Sequence, residues 1–299
     1  MSVLVVGSVA FDTIKTPFGK CKDVLGGSAS YFSVSASYFC KVNLVAVVGK
    51  DFPAKYKNLL KRKGVDVKGL EVREGKTFSW SGEYGWDFSN PRTISTDLNV
   101  FSDFDPDIPA EYRDSEYLFL ANIDPVLQNR VLEQMGRPKL VACDTMNYWI
   151  DSRRKELLKL IKKVDIFFLN ESEAKELTGE ANLIKAAKAI LKFGPGSVII
   201  KKGEHGSLLF SSNSAFSIPA YPLESIYDPT GAGDTFAGGV LGYMARNNKT
   251  THADLRRAIV CGTIMATFTV EDFSLRRLGS IRRSDITRRI KKFERLTNF

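Results

Sequence analysis

The stretch Asp228–Gly239, DPTGAGDTFAGG, sets four glycines around one carboxylate, Asp234. The run TFAGGVLGYMA that it opens is apolar and rich in small residues, as in a helix packed closely on a sheet. A helix start offers backbone N–H groups without intrahelical partners and a partial positive charge. Glycines let those groups approach an anion free of Cβ interference. Gly231, Ala232 and Gly233 are therefore a candidate anion hole. A fixed carboxylate repels a resident phosphate, so Asp234 has two readings on the residues alone. It caps the helix, or it accepts a proton from a hydroxyl lying between it and a phosphoryl group in transfer.

Outward from this loop the chain alternates buried strands with helices. Val3–Val6 is an aliphatic run ending at Gly7, and Leu44–Val48 is a second. Strands are expected at Tyr117–Ala121, Leu140–Cys143, Ile166–Leu169 and Ser197–Ile200, with helices at Pro125–Met135, Arg154–Lys163, Glu171–Leu177 and Leu183–Phe193. A further helix is expected from Tyr56 to Lys63, and another within SASYFSVSASYF after Gly26-Gly27. Gly206–Phe210 and Ala215–Pro219 read as a closing antiparallel pair, and the chain after Asp228 reads as mainly helical. Continuous aliphatic strands alternating with helices imply a mainly parallel sheet covered on both faces, a three-layer α/β/α domain. Two segments break this rhythm. Residues 12–25 are turn-rich, and residues 77–101 alternate aromatic and polar residues as antiparallel strands with a solvated face do. Together they are expected to form a small β-sheet lid inserted in a single domain spanning residues 1–299.

Bulk properties narrow the function. At 299 residues with 43% hydrophobic and 26% charged residues, the chain has globular composition. No apolar run reaches the roughly 20 residues of a membrane helix, and MSVLVVGSVAF reads as a strand instead of a signal peptide. Cys21, Cys40, Cys143 and Cys261 are scattered without a CxxC, which suits a reducing cytoplasm. The net charge of +9 is concentrated at the end: residues 276–299 hold seven Arg and two Lys against Asp285 and Glu294. That segment reads as a solvated basic helix closing the domain, so no nucleic-acid partner is expected. G-x-x-x-x-G-K-[ST], G-x-G-x-x-G after the first strand and G-x-S-x-G are all missing, which disfavours P-loop NTPases, dinucleotide enzymes and serine hydrolases.

DPTGAGDTFAGG resembles the C-terminal signature of the ribokinase-like, or PfkB, family of carbohydrate and nucleoside kinases. Other segments resemble family motifs in the right order: GSVAFD ending at Asp12, the di-glycine Gly26-Gly27, the N-x-x-E of Asn170 and Glu173, and KKGEHG from Lys201 to Gly206. The resemblance spans essentially the whole chain and implies a ribokinase-like fold and ATP-dependent, magnesium-assisted phosphorylation of a small alcohol. It implies that Asp234 is the base and that Gly231, Ala232 and Gly233 form the anion hole. Asp12 and Gly26-Gly27 would then grip the acceptor, while Lys201, Gly203, Gly206 and Thr230 line the nucleotide. Asn170 and Glu173 would act on Mg²⁺ through water, and Asp228, with Thr230, on a monovalent cation such as K⁺.

One departure bears on the acceptor. Many members carry Asn four residues after the di-glycine's second glycine, where this chain has Tyr31. With Phe78, Trp80, Tyr84, Trp86 and Phe88 in the lid, Tyr31 is expected to favour the flat face of a nucleobase or the apolar face of a sugar, unless the lid aromatics only cover the sheet or pack against a partner subunit. The favoured acceptor is a ribose-containing nucleoside such as adenosine, ahead of a free sugar such as ribose or fructose. Asp124 and Asn147 follow strand ends, where open α/β sheets bind ligands, and are weaker candidates. The lid edges suggest a homodimer. A different class, an inactive kinase-fold protein that binds nucleic acid or regulates, is disfavoured by the retained Asp234.

Overall fold

The computed structural model describes residues 1–88, 91–248 and 250–298. Ser89 and Asn90, which the 77–101 segment includes, lie outside the described residues. The principal sheet has nine strands. In chain order they are β1 (Ser2–Val6), β4 (Lys41–Gly49), β5 (Val65–Arg73), β8 (Tyr117–Leu120), β9 (Leu140–Cys143), β10 (Ile166–Asn170), β11 (Ser197–Lys201), β12 (Ser207–Ser211) and β13 (Ser214–Ile218). Their spatial order is β13-β12-β11-β10-β9-β8-β1-β4-β5. All pairs are parallel except β11–β12 and β12–β13.

The aliphatic strands are buried on both faces, and their residues divide by parity. Val3, Val5, Leu44, Ala46, Tyr117 and Phe119 point into one core, and Leu4, Val6, Val45, Val47, Leu118 and Leu120 into the other. The first core is closed by α1 (Ser28–Ala36), α8 (Ala232–Asn247), α9 (His252–Val270) and α11 (Arg283–Thr297). The second is closed by α3 (Pro125–Gln134), α5 (Arg154–Ile161), α6 (Glu171–Thr178) and α7 (Leu183–Phe193). This is the expected three-layer arrangement. All nine residues of α1 are buried, so its sequence carries small residues on every side. The basic segment forms α11, with Ile286 and Phe293 in the core. Arg289 pairs with Glu271 at 2.8 Å and lies 3.9 Å from the Phe268 ring centre, which fastens α11 to α9.

A second sheet contains β2 (Ala10–Thr16), β3 (Gly19–Gly26), β6 (Ser79–Glu83) and β7 (Arg92–Asp97), in the order β3-β2-β6-β7. The two outer pairs are antiparallel as expected, but β2 and β6 are parallel. The cause is topological. Each follows a strand of the parallel sheet, β1 or β5, and leaves it in the same direction. The small sheet covers its own core of Ile14, Cys21, Tyr84 and Phe273, while every residue of β7 is exposed. Two elements escape the sequence reading: β5, an edge strand whose pattern is interrupted by charges and a register shift, and α4 (Asn147–Ser152).

Candidate active site

The loop ahead of α8 adopts a shape that few side chains allow. Gly231 has φ of 75°, and a Cβ there would lie 2.4 Å from the Tyr31 ring. Tyr31 is only 1% exposed, so its ring supports this loop from below and offers no free face to a ligand. Its hydroxyl is buried without a hydrogen-bond partner. Gly233 and Asp234 follow in the first turn of α8. The Ala232 N–H donates to Pro229 O at 3.1 Å, which turns that amide inward to brace the loop.

Asp234 is half-buried, and its carboxyl is raised to about 7. Burial is the largest cause; the Asp144 charge adds to it and the Lys201 ammonium opposes it. Lys201, at the end of β11, donates to Asp144 Oδ2 at 2.5 Å, and its Nζ lies 3.2 Å from where a Gly233 Cβ would be. Asp144 follows β9 and is 3% exposed. The sequence reading missed it, because C-D-T after a strand has no distinguishing pattern by itself.

Asp12, on β2, is 4% exposed. Burial, then the charges of Asp228 and Asp234, push its carboxyl up to about 8, although the Gly27 N–H partly offsets them. The di-glycine is required sterically: a Cβ at Gly26 would lie 1.9 Å from Asp12 Oδ2. Asp12, Asp228 and Asp234 thus converge from β2 and the α8 loop, and a group bearing hydroxyls is the natural counterpart of such carboxyls. Asp228 is fully buried and accepts the Thr230 N–H at 2.9 Å and the Ser274 N–H at 3.3 Å. Thr230 Oγ1 donates to Tyr84 Oη at 3.2 Å, which ties the loop to the small sheet.

Asn170 and Glu173 form a reciprocal cap on α6. Asn170 Oδ1 accepts from the Glu173 N–H at 2.8 Å and from Ser172 Oγ at 2.7 Å, and Glu173 Oε2 accepts from the Asn170 N–H at 2.6 Å. Burial raises the Glu173 carboxyl to about 7. Gly203 and Gly206 carry φ of 54° and 83° in the turn between β11 and β12. The two weaker candidates are engaged structurally. Asp124 caps α3 through the Val126 N–H at 2.8 Å and pairs with Arg153 at 3.3 Å, and Asn147 donates to Glu176. Most lid aromatics pack within the small sheet: Tyr84 lies in its core with Trp80 and Phe88 against it, Trp86 packs on Phe18, and only Phe78 packs elsewhere. Phe78 stacks on Phe101, Phe88 stacks on Phe18, Trp80 leans on Gly82, and Trp86 is 79% exposed.

A half-buried carboxylate at a glycine-rich helix start, beside a half-buried lysine and across from a second carboxylate, is the equipment of a phosphotransferase with the ribokinase-like fold. The chain belongs to the pfkB family of carbohydrate kinases, whose family model matches residues 2–278. It is 32% identical over 251 residues to a cytidine kinase of Thermococcus kodakarensis, covering 82% of this chain and 89% of that protein. The crystal structure of the Methanocaldococcus jannaschii nucleoside kinase superposes with a TM-score of 0.78 at 20% identity, covering 97% of this chain and 98% of that one. Aminoimidazole riboside kinase from Salmonella enterica, solved with aminoimidazole riboside and an ATP analog, gives 0.76 at 20% identity over 97% and 100% of the two chains. Among the described residues no helix is long and apolar enough to cross a membrane.

Proposed function

We propose that this kinase transfers the γ-phosphoryl group of ATP to the primary hydroxyl of a nucleoside, with Asp234 as the base. The observation that carries this reading is the Asp234 carboxyl itself. It sits in the first turn of α8 beside the glycine amides, held near neutral pH. A base with that value is about half deprotonated at neutral pH and more so just above it, yet basic enough to take a hydroxyl proton as the oxygen attacks. Asp12 and the Gly27 backbone hold the ribose hydroxyls, so the primary hydroxyl points toward Asp234. The Gly231 and Gly233 amides, at the positive end of α8, stabilise charge on the phosphoryl group in transit.

Magnesium fits this site through water. Both hydrogen-bonded contacts on Asn170 Oδ1 are already taken, and Glu173 keeps one carboxylate oxygen outside the cap. Among the described residues no cluster of three or more acidic, His or Cys side chains offers a protein cage. Mg²⁺ retains its waters and is commonly held by one or two carboxylates and nucleotide phosphates. Bound there with ATP, it would neutralise phosphate charge. Lys201, Gly203 and Gly206 line the nucleotide side in this reading, and Asp228 with Thr230 is the place for K⁺. The small sheet acts as a lid that excludes water from the transfer, and its open β7 edge pairs with a second copy. The reading places the protein in the cytoplasm, where ATP is supplied.

Similarity to a cytidine kinase puts a pyrimidine nucleoside first. An ADP-release screen of cytidine, adenosine, ribose and fructose with Mg-ATP tests this. Turnover should be highest with a nucleoside and should fall on the acid side of pH 7 as Asp234 protonates. Turnover with free sugars alone would overturn the acceptor assignment.

A further inference from the structure

We propose that Asp144 is a positioning residue that holds the Lys201 ammonium away from Asp234, so that Asp234 meets its substrate as an unpaired carboxyl. The proposal rests on the reading of Asp234 as the base, and its geometry stands on four elements. Lys201 rises from the end of β11 and lies directly beneath Gly233, one residue before Asp234. Its Nζ is therefore close enough to compete for the Asp234 carboxylate. It is bonded instead to Asp144 Oδ2 at 2.5 Å, and among the described residues Asp234 forms no salt bridge. Asp144 is locked in place. Its Oδ1 accepts the Thr145 N–H at 2.9 Å, its own N–H donates to Leu120 O at 3.0 Å, and its carbonyl accepts from Gln128 Nε2 at 3.2 Å. Gln128 also donates to Leu120 O and Ala121 O, so one buried side chain pins the ends of β8 and β9 together.

The consequence follows from elementary electrostatics. A carboxylate paired with an ammonium is a weak base, because the cation stabilises its charged form. With Lys201 neutralised by Asp144, Asp234 keeps its elevated proton affinity. Asp144 approaches from the end of β9 and is negative, whereas Asp12, on β2, has its carboxyl raised to about 8 and brings little charge near pH 7. Glu173 on α6 faces Lys201 and shares its field. Helix α1 and strands β1 and β8, which pack near α8, bring no charged side chain, and Glu271 after α9 is occupied by Arg289 and Arg277.

The test reads the Asp234 carboxyl directly, by ¹³C NMR titration of the nucleotide-free protein, with its signal assigned by its loss in Asp234→Asn. Asp144→Asn should lower the Asp234 midpoint by about one pH unit or more. The acid limb of kcat/KM for cytidine, or for whichever nucleoside turns over, should move with it. Asp144→Glu should restore both. Lys201→Met provides the second arm if Asp144→Asn fails to fold: leaving Asp144 and Asp234 without the cation should raise the midpoint. An unmoved midpoint in either variant overturns the proposal. Near-normal turnover by Asp234→Asn would instead sink the base assignment and leave the Asp144–Lys201 coupling to be judged by the titration alone.

Discussion

Among the described residues one hydrogen bond, Thr230 to Tyr84, joins the head of α8 to the small sheet, and the two regions are held by different physics. The head of α8 is fixed by sterics and buried polar bonds. Tyr31 fills the space beneath Gly231, and Asp228 is satisfied by two backbone N–H groups. The small sheet rests on a core of four buried residues, and its outer strand β7 is exposed along its whole length. Groups that the proposed reaction requires to keep a geometry sit where no side chain has freedom, and the small sheet proposed as its lid carries an exposed outer strand.

The sharpest break in this contrast is Asp234→Asn. It should lower turnover by roughly a thousandfold while leaving ATP affinity nearly unchanged. Steady-state kinetics and calorimetry check both halves. Gly231→Ala should destabilise the protein by about 2–3 kcal/mol, since the added Cβ meets the Tyr31 ring and the backbone is left-handed. Denaturant titration measures it, and a loss below about 0.5 kcal/mol would show that the loop yields.

The acidic cluster gives a pH signature. The Asp12 carboxyl is raised from 3.8 to about 8, so the folded state holds a proton that the unfolded state releases in that window. Stability is fully present below the ordinary carboxylate value and declines as pH rises toward 8, by at least about 1 kcal/mol. Asp12→Asn should flatten that decline in unfolding curves taken at pH 5 and pH 8. On the small-sheet side the effects are milder. Tyr84→Phe removes the tie to Thr230 and should raise the acceptor KM several-fold at a stability cost of about 1 kcal/mol. Ile94→Lys, on the exposed strand, should leave the fold within about 0.5 kcal/mol of wild type. Light scattering should show a dimer for the unsubstituted protein, as proposed, and a monomer for the variant.

Much of the architecture is legible in the sequence because the signals are local. Aliphatic runs bounded by glycines give the buried strands, and Leu183–Phe193 has an amphipathic pattern that defines its helix at both ends. The strand β5 is harder to read. Asp66, Lys68, Glu71 and Arg73 interrupt its apolar positions, as an edge permits, and its register shifts near Gly69. The Asp144–Lys201 pair joins residues 57 apart: Lys201 lies in the KKGEHG segment, but Asp144 is unremarkable beside its neighbours. Tyr31 misleads in the opposite way. An aromatic at a substrate-motif position suggests a stacking wall, but packing turns its ring beneath Gly231.

The sequence by itself determined the layers, the glycine-rich helix start and the presence of a carboxylate within it, since each is written in neighbouring residues. Tertiary structure alone decided how that carboxylate behaves. The proton affinity of Asp234 depends on burial and on charges brought in by the ends of β9 and β11, and electrostatic energy follows distances in space that chain order does not specify.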